Sequence, residues 1–349
     1  VNLHEKYIKR CIQLAKNGLG ATYPNPMVGC VIVYNETIIG EGWHKKAGEP
    51  HAEVNAINSV KDKSLLKKAT IYVSLEPCSH YGKTPPCANL IVESGIKKAV
   101  IGIIDSNSKV SGRGVLHLQQ NGCDVIVGVL QNECYNLNKR FFTFHKLKRP
   151  FIVLKWAETN DGFIDKNRSE PADISPNWIS NQYSQQYVHK MRADEQAIFV
   201  GTKTALNDNP SLTVRSWEGE NPVRVVLDRK LKIPVSYNLY DGSVKTIILN
   251  EVKNDKDLTK KLFFEKIDFS KNVPTQVCEV LYKYEIQSVI VEGGAQTLQS
   301  FINANLWDEA FVFVGAINFK KGIKAPELQK VSSEIRKISN DTLFIYKNK

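Results

Sequence analysis

One histidine and two cysteines constrain this chain more than any other feature: His51-Ala52-Glu53, then Pro77-Cys78, then Pro86-Cys87. An imidazole and two thiolates form an N/S donor set that zinc favours, and three donors leave the fourth tetrahedral position open to water. A structural zinc site commonly closes with four protein ligands, whereas this set stops at three. Glu53, two residues past His51, can stand beside such a centre without ligating it. That is where a proton carrier for an activated water belongs.

The local pattern supports the ligand set. Pro50 precedes His51, and the run from His51 to Ile57 reads as a helix with His51 and Glu53 in its first turn. Thr70 to Leu75 is a β-rich apolar run that delivers Glu76-Pro77-Cys78 at a strand end. Pro85 and Pro86 precede Cys87-Ala-Asn-Leu-Ile-Val, a second helix start where a missing N–H costs nothing. A cysteine in a helix's first turn gains thiolate character from the unpaired N–H groups there. Ordinary buried histidine and cysteines would leave the glutamate, the prolines and both helix starts unexplained.

The pattern resembles the zinc-dependent cytidine-deaminase superfamily, whose cysteines are usually two residues apart. Here eight residues separate Cys78 from Cys87. The expanded Pro-Cys-Ser-His-x-Gly-x-Thr-Pro-Pro-Cys segment is similar to that of the bifunctional riboflavin-biosynthesis deaminase/reductase family. Tyr23-Pro-Asn25-Pro26-Met-Val-Gly29-Cys30 and Gly42-Trp43-His44 match its upstream segments. The resemblance implies a cytidine-deaminase-like three-layer α/β domain over residues 1–148. It also implies hydrolytic deamination of a phosphorylated diaminopyrimidine riboside, with Glu53 as proton shuttle. Asn25 and His44 are then expected to hold the ring, and His80, Lys83 and Thr84 the phosphate.

The second half, 149–349, opens on the strand Phe151–Ala157 and alternates helices with strands at Ala197–Gly201, Val223–Asp228 and Val244–Leu249. Strand Ser288–Glu292 runs into Gly293-Gly294 and a helix, an arrangement that brings backbone N–H groups up to a phosphate. Lys155-Trp-Ala, Asp161-Gly162, Asn177-Trp178-Ile179, Met191-Arg192-Ala193, the run from Val200 to Arg215 and Pro222 to Asp228 resemble the reductase half of the same family. This implies a dihydrofolate-reductase-like fold using NADPH. Trp178, Thr204 and Asp208 are expected to line the cofactor site, with Gly294 and Ala295 at its phosphates. Arg192, Leu212, Arg215 and Glu292 are expected to face the substrate, the arginines because guanidinium matches phosphate oxygens in a fork. Asp208 and Glu292 are the proton-donor candidates. Two departures, Thr159-Asn160 before Asp161-Gly162 and Pro176 before Trp178, remove an expected substrate contact there.

The net charge of +11 admits a nucleic-acid reading, and its excess sits with the metal motif: 19 basic against 11 acidic residues through residue 148, 28 against 25 beyond. Yet the lysines come in pairs on mixed surfaces, without a basic stripe interleaved with aromatics. A small phosphate ester suits the same field. The expected partner is therefore a phosphorylated pyrimidine, not nucleic acid or membrane. No apolar run approaches the ~20 residues that span a bilayer. Sparse, odd-numbered cysteines and a charged start at Val1-Asn-Leu-His-Glu-Lys point to the cytoplasm. Fused enzymes of this kind often self-associate, so a homo-oligomer is expected. The alternatives are a deaminase with a non-catalytic second domain and a nucleic-acid base deaminase.

Overall fold

The computed structural model describes residues 2–79, 85–105, 111–167 and 177–348, and the chain divides into two compact units, Val1–Leu147 and Lys148–Lys349. In the first unit, α1 (Leu3–Ala15) leads to the hairpin β1 (Gly29–Tyr34) and β2 (Thr37–Trp43). Then come α2 (Ala52–Ser59), β3 (Thr70–Val73), α3 (Cys87–Glu93), β4 (Lys98–Ile101), α4 (Arg113–Gln120), β5 (Asp124–Val127), α5 (Gln131–Leu137) and α6 (Lys139–Leu147). The strands lie in the order β2-β1-β3-β4-β5, antiparallel around β1 and parallel from β3 to β5.

Alternation along each strand splits the core into two layers. Val31, Val33 and Tyr72 face α1, α5 and α6 through Tyr7, Ile8, Cys11, Cys134 and Phe141. Cys30, Ile32, Ile71 and Val73 face α2, α3 and α4 through Ala56, Ile91 and Leu118. Close approach of α2 to β2 depends on Gly42, where a Cβ would stand 2.6 Å from the Ala56 nitrogen. That contact sets the start of α2, and hence His51, against the end of the hairpin.

The basic segment 137–150 is read from the sequence as closing the first block; the first unit ends at Leu147, and the structure forms α6 within this segment. Phe141, Phe142 and Phe144 turn inward while lysine and arginine turn out, so surface charge masks an amphipathic helix. The last residue before α6, Asn138, is buried and pairs with Met27 across 111 positions. Its amide oxygen accepts the Met27 N–H at 2.8 Å and its amide nitrogen donates to the Met27 carbonyl at 2.8 Å. This two-way bond holds the loop that carries Asn25.

The second unit contains β6 (Phe151–Thr159), β7 (Phe163–Asp165), α7 (Gln182–Asp194), β8 (Ala197–Gly201), α8 (Thr202–Asp208), β9 (Val223–Leu227) and β10 (Thr246–Asn250). It continues with β11 (Asp255–Asp257), β12 (Leu262–Lys266), α9 (Val273–Lys283), β13 (Ser288–Val291), α10 (Ala295–Asn303), β14 (Glu309–Gly315), β15 (Ile323–Lys324), β16 (Glu334–Ile338) and β17 (Asp341–Lys347). Ten strands form one sheet in the order β11-β12-β10-β9-β8-β13-β6-β14-β17-β16. β13 returns late in the chain to lie parallel between β6 and β8. Such a reversal of strand order opens a crevice at the carboxyl ends of the strands. One face is covered by α9 and α10 through Leu281, Leu298 and Phe301, the other by α7 and α8 through Val188, Met191 and Ala205.

Removing the Asn138 amide leaves two Met27 backbone groups without these bonds, at about 1–3 kcal/mol each. Asn138→Ala is expected to speed hydrogen–deuterium exchange across residues 22–34 at least tenfold, with second-unit peptides unchanged. Unaltered exchange there would show that the loop is held by other contacts.

Candidate active sites

The carboxyl end of β3 and the starts of α2 and α3 bring the three predicted ligands together. His51 is the N-cap of α2, in extended conformation, and Cys87 is the first residue of α3 after Pro86. The His51 Nδ1 lies 3.7 Å from the Cys78 sulfur and 3.3 Å from the Cys87 sulfur. Zn–S and Zn–N bonds at the tetrahedral angle place such donor atoms about 3.6 Å apart, so the observed separations fit one zinc ion. Among the described residues these three form the one group of this kind, and all donor atoms lie within 4.8 Å of one another.

The local electrostatics favour a cation at the triad. The Cys87 backbone N–H donates to the Cys78 sulfur at 3.2 Å. A hydrogen bond from the Cys87 thiol lowers the Cys78 pKa to about 4 despite burial, and His51 contributes in the same direction. Cys87 holds its proton firmly because of that same bond and its burial. Cys78 is thereby the more acidic of the two thiols, and metal binding displaces the protons they carry.

Glu53, 3% exposed on the first turn of α2, reaches this cluster within hydrogen-bonding distance of the Cys87 side chain. Burial, with the Cys78 thiolate adding, pushes its carboxyl up to about 7. A bound cation acts in the opposite direction, leaving Glu53 able to exchange a proton near neutral pH.

His44, 2% exposed, packs edge-on against His51 with ring centres 5.2 Å apart. Its Nδ1 lies 3.2 Å from the Pro50 carbonyl, which can only accept, so Nδ1 carries the proton and Nε2 accepts from Asn25 Nδ2 at 3.1 Å. Burial lowers the His44 pKa, consistent with a neutral ring. Asn55 donates to the carbonyls of Trp43 and Pro50 and ties α2 to the same corner. The expected phosphate contacts His80, Lys83 and Thr84 lie outside the described residues, as does Pro176.

In the second unit, Gly294 caps α10 with a positive φ of 70°, a conformation that favours glycine. A Cβ there would stand 3.2 Å from Thr204 Oγ1, so Thr204, Gly294 and Ala295 share one corner at the carboxyl ends of β8 and β13. This glycine-opened helix start fits a dinucleotide phosphate. Trp178 is 63% exposed before α7, and Asp208 ends α8, a full turn past Thr204.

Arg192 and Glu292 meet across 100 positions in a bidentate pair at 3.0 and 2.7 Å. The Arg192 fork, expected on a substrate phosphate, is therefore occupied by Glu292. Lys155 Nζ stands 3.9 Å from Glu292, so two cations flank one carboxylate. Burial opposes ionisation of Glu292, but Arg192 and Lys155 outweigh it and hold the carboxyl at about 2. Such a carboxyl is held in its ionised form at neutral pH. Arg215 is exposed, donates to Thr213 Oγ1 at 3.2 Å, and its backbone N–H donates to His189 Nδ1. Leu212 is buried with a φ of 52°, an uncommon conformation for leucine that marks a strained turn beside this cluster.

Sequence reasoning missed Lys155 and His189. A lysine inside the apolar run Phe151-Ile-Val-Leu-Lys-Trp was the available signal, since lysine is rarely buried without a partner. Thr159 is spent locally, its hydroxyl donating to Asp161 and accepting the Phe163 N–H.

Comparison with known proteins agrees with both halves. Residues 1–103 match the model of the cytidine and deoxycytidylate deaminase zinc-binding region, and residues 150–330 match the RibD C-terminal domain. The riboflavin biosynthesis protein RibD of Aquifex aeolicus is 38% identical over 93% of this chain and 90% of its own length. That of Bacillus amyloliquefaciens is 41% identical over 93% and 88%. A diaminohydroxyphosphoribosylaminopyrimidine deaminase/5-amino-6-(5-phosphoribosylamino)uracil reductase from Thermotoga maritima superposes with a TM-score of 0.87 at 38% identity, covering 99% of this chain and 98% of that one. RibD from Acinetobacter baumannii gives 0.87 at 30% identity with the same coverage. A cytidine-deaminase-like unit thus precedes a dihydrofolate-reductase-like one. The chain belongs to the RibD family, the bifunctional zinc-dependent deaminase and NADPH-dependent reductase of riboflavin biosynthesis.

Proposed function

We propose that residues 1–148 deaminate a diaminopyrimidine ribosyl phosphate and that residues 149–349 then reduce its ribose to a ribityl chain. The observation that carries this reading is the convergence of His51, Cys78 and Cys87 with a buried Glu53 in reach of Cys87. Zinc held by those three ligands supplies the Lewis acidity that makes water nucleophilic at neutral pH. Glu53 takes a proton from the attacking water, then delivers protons to the ring and to the departing amine, so ammonia leaves and oxygen replaces nitrogen. Asn25 presents its amide beside the triad and is held there by the neutral His44, whose own tautomer is fixed by Pro50. The pair orients the ring.

In the reductase half, NADPH supplies the hydride. Thr204, Gly294 and Ala295 would hold the cofactor at the start of α10, with Trp178 and Asp208 as further contacts. Arg215, exposed beside the strained Leu212, takes the substrate phosphate. Arg192 acts through Glu292, keeping the carboxylate ionised as an acceptor for ribose hydroxyls. Lys155, 3.9 Å from Glu292, is the second cation of this group; burial and Arg192 lower its ammonium pKa while Glu292 raises it. The family's phosphorylated pyrimidine substrate favours the small-molecule reading of the basic surface over nucleic acid. Seven unpaired cysteines favour a reducing compartment. No helix among the described residues is long and apolar enough to cross a membrane.

Mass spectrometry of the diaminopyrimidine ribosyl phosphate after incubation tests the whole assignment. Amine-to-oxygen exchange without NADPH, and a further two-hydrogen gain only with it, are expected. Exchange with no NADPH-dependent gain would overturn the reductase assignment. In the same assay Glu53→Gln is expected to keep its zinc and lose deamination by about 10²–10⁴-fold. Retained turnover would remove the shuttle role.

The Glu292 pair also predicts a pH dependence. Its folded pKa of about 2 lies below the ordinary 4.5, so its stabilising contribution is complete above 4.5 and is lost as pH falls toward 2. The urea-midpoint gap between wild type and Glu292→Gln is expected to be full at pH 6 and to close below pH 4.5. A gap independent of pH would contradict the ion-pair account.

A further inference from the structure

We propose that Glu76 is a positioning residue for the first unit's metal centre, fixing the turn that presents Cys78. The inference rests on Cys78 being a zinc ligand, as assigned above. Glu76 lies two residues before Cys78 and is 4% exposed. Its backbone N–H donates to the Ile103 carbonyl at 2.9 Å. Its carboxylate accepts four backbone N–H groups: Asp105 at 3.1 Å and Gly112 at 2.9 Å on Oε2, Gly114 at 2.8 Å and Val115 at 3.3 Å on Oε1. One side chain therefore ties the ligand-bearing turn to the segment after β4 and to the first turn of α4.

The same turn is braced from the other side. A Cβ on Gly114 would stand 2.1 Å from the Pro77 carbonyl oxygen, so the α4 backbone sits directly against the residue between Glu76 and Cys78. Beyond the turn, the Cys78 carbonyl accepts the Ala88 N–H at 3.1 Å, and the Cys78 sulfur accepts the Cys87 N–H at 3.2 Å. Cys78 is thus held on its near side by Glu76 and on its far side by α3. His51 and Cys87 sit at helix starts, whereas Cys78 sits in irregular backbone after β3, and Glu76 supplies the rigidity a helix would otherwise give. Only a carboxylate does this. Glutamine of the same shape turns an NH₂ group toward two of the four N–H donors, which removes two bonds and opposes donor to donor.

Partners that orient metal ligands typically alter metal affinity 10–100-fold when removed. In the full-length chain, Glu76→Gln is expected to release zinc to a chelator at least tenfold faster than wild type. Its cobalt(II)-substituted form is expected to show shifted thiolate and d–d absorption bands. NADPH-dependent reduction by the second unit stays unchanged. Gly114→Ala, which pushes the same turn with the carboxylate intact, is expected to shift the cobalt bands in the same way and gives an independent reading should Glu76→Gln cost the first unit its fold.

A merely structural role lowers the melting temperature but leaves the cobalt bands and zinc release in place. That result, with wild-type chain holding one zinc, would overturn the positioning role alone. A wild-type chain that takes up no zinc would overturn the ligand assignment and the positioning role with it.

Discussion

Three donor atoms from separate elements converge where β3 ends, and the rest of the first unit is arranged around that meeting. An imidazole nitrogen 3.3 Å from one sulfur and 3.7 Å from another, with a carboxyl buried beside them, is a costly collection of titratable groups without a cation. With one, the same collection is the Lewis-acid site and proton carrier proposed above. The close approach of α2 to the hairpin at Gly42 fixes His51, the proline-led start of α3 fixes Cys87, and the end of β3 leads into Cys78. The Asn25–His44–Pro50 chain extends this order outward from the triad.

The second unit solves a different problem with the same economy of groups. Its crevice comes from inserting β13 between β6 and β8, and the charges at that crevice come from all around the insertion. Lys155 arrives on β6, Arg192 on α7 and Glu292 just past β13. Two cations around one carboxylate keep that carboxylate ionised in a buried setting, where an unpaired one would protonate. Arg192, expected to face the substrate, is paired with Glu292 in this structure, and Arg215 is exposed beside them.

What the sequence could reveal follows from distance along the chain. The metal ligands were legible because each sits in a local signature: Pro50 before His51, a strand before Cys78, Pro86 before Cys87. The strand Ala197–Gly201 was legible because burial on both faces writes itself into neighbouring residues, and Asp124–Val127 because its Val-Ile-Val run is β-branched although exposed. Pairings that span 100 positions or more left no such trace. Arg192 with Glu292 and Asn138 with Met27 depend on strand order and helix docking, which local periodicity does not encode. The helix at Lys139–Leu147 was hidden by its own charge, and the strands Asp255–Asp257 and Leu262–Lys266 by a polar composition suited to a sheet edge. Glu76 was visible as a residue but not as a brace, because its four bonds go to residues 29 to 39 positions away.

On the proposed assignment the first unit holds one zinc through three protein ligands and keeps a position open. Zinc-edge X-ray absorption of the full-length chain measures this directly. Two sulfurs at about 2.3 Å and two lighter atoms at about 2.0–2.1 Å, one of them exchangeable for an added anion, are the predicted result. A closed shell of four protein ligands, or a shell with a single sulfur, would contradict it.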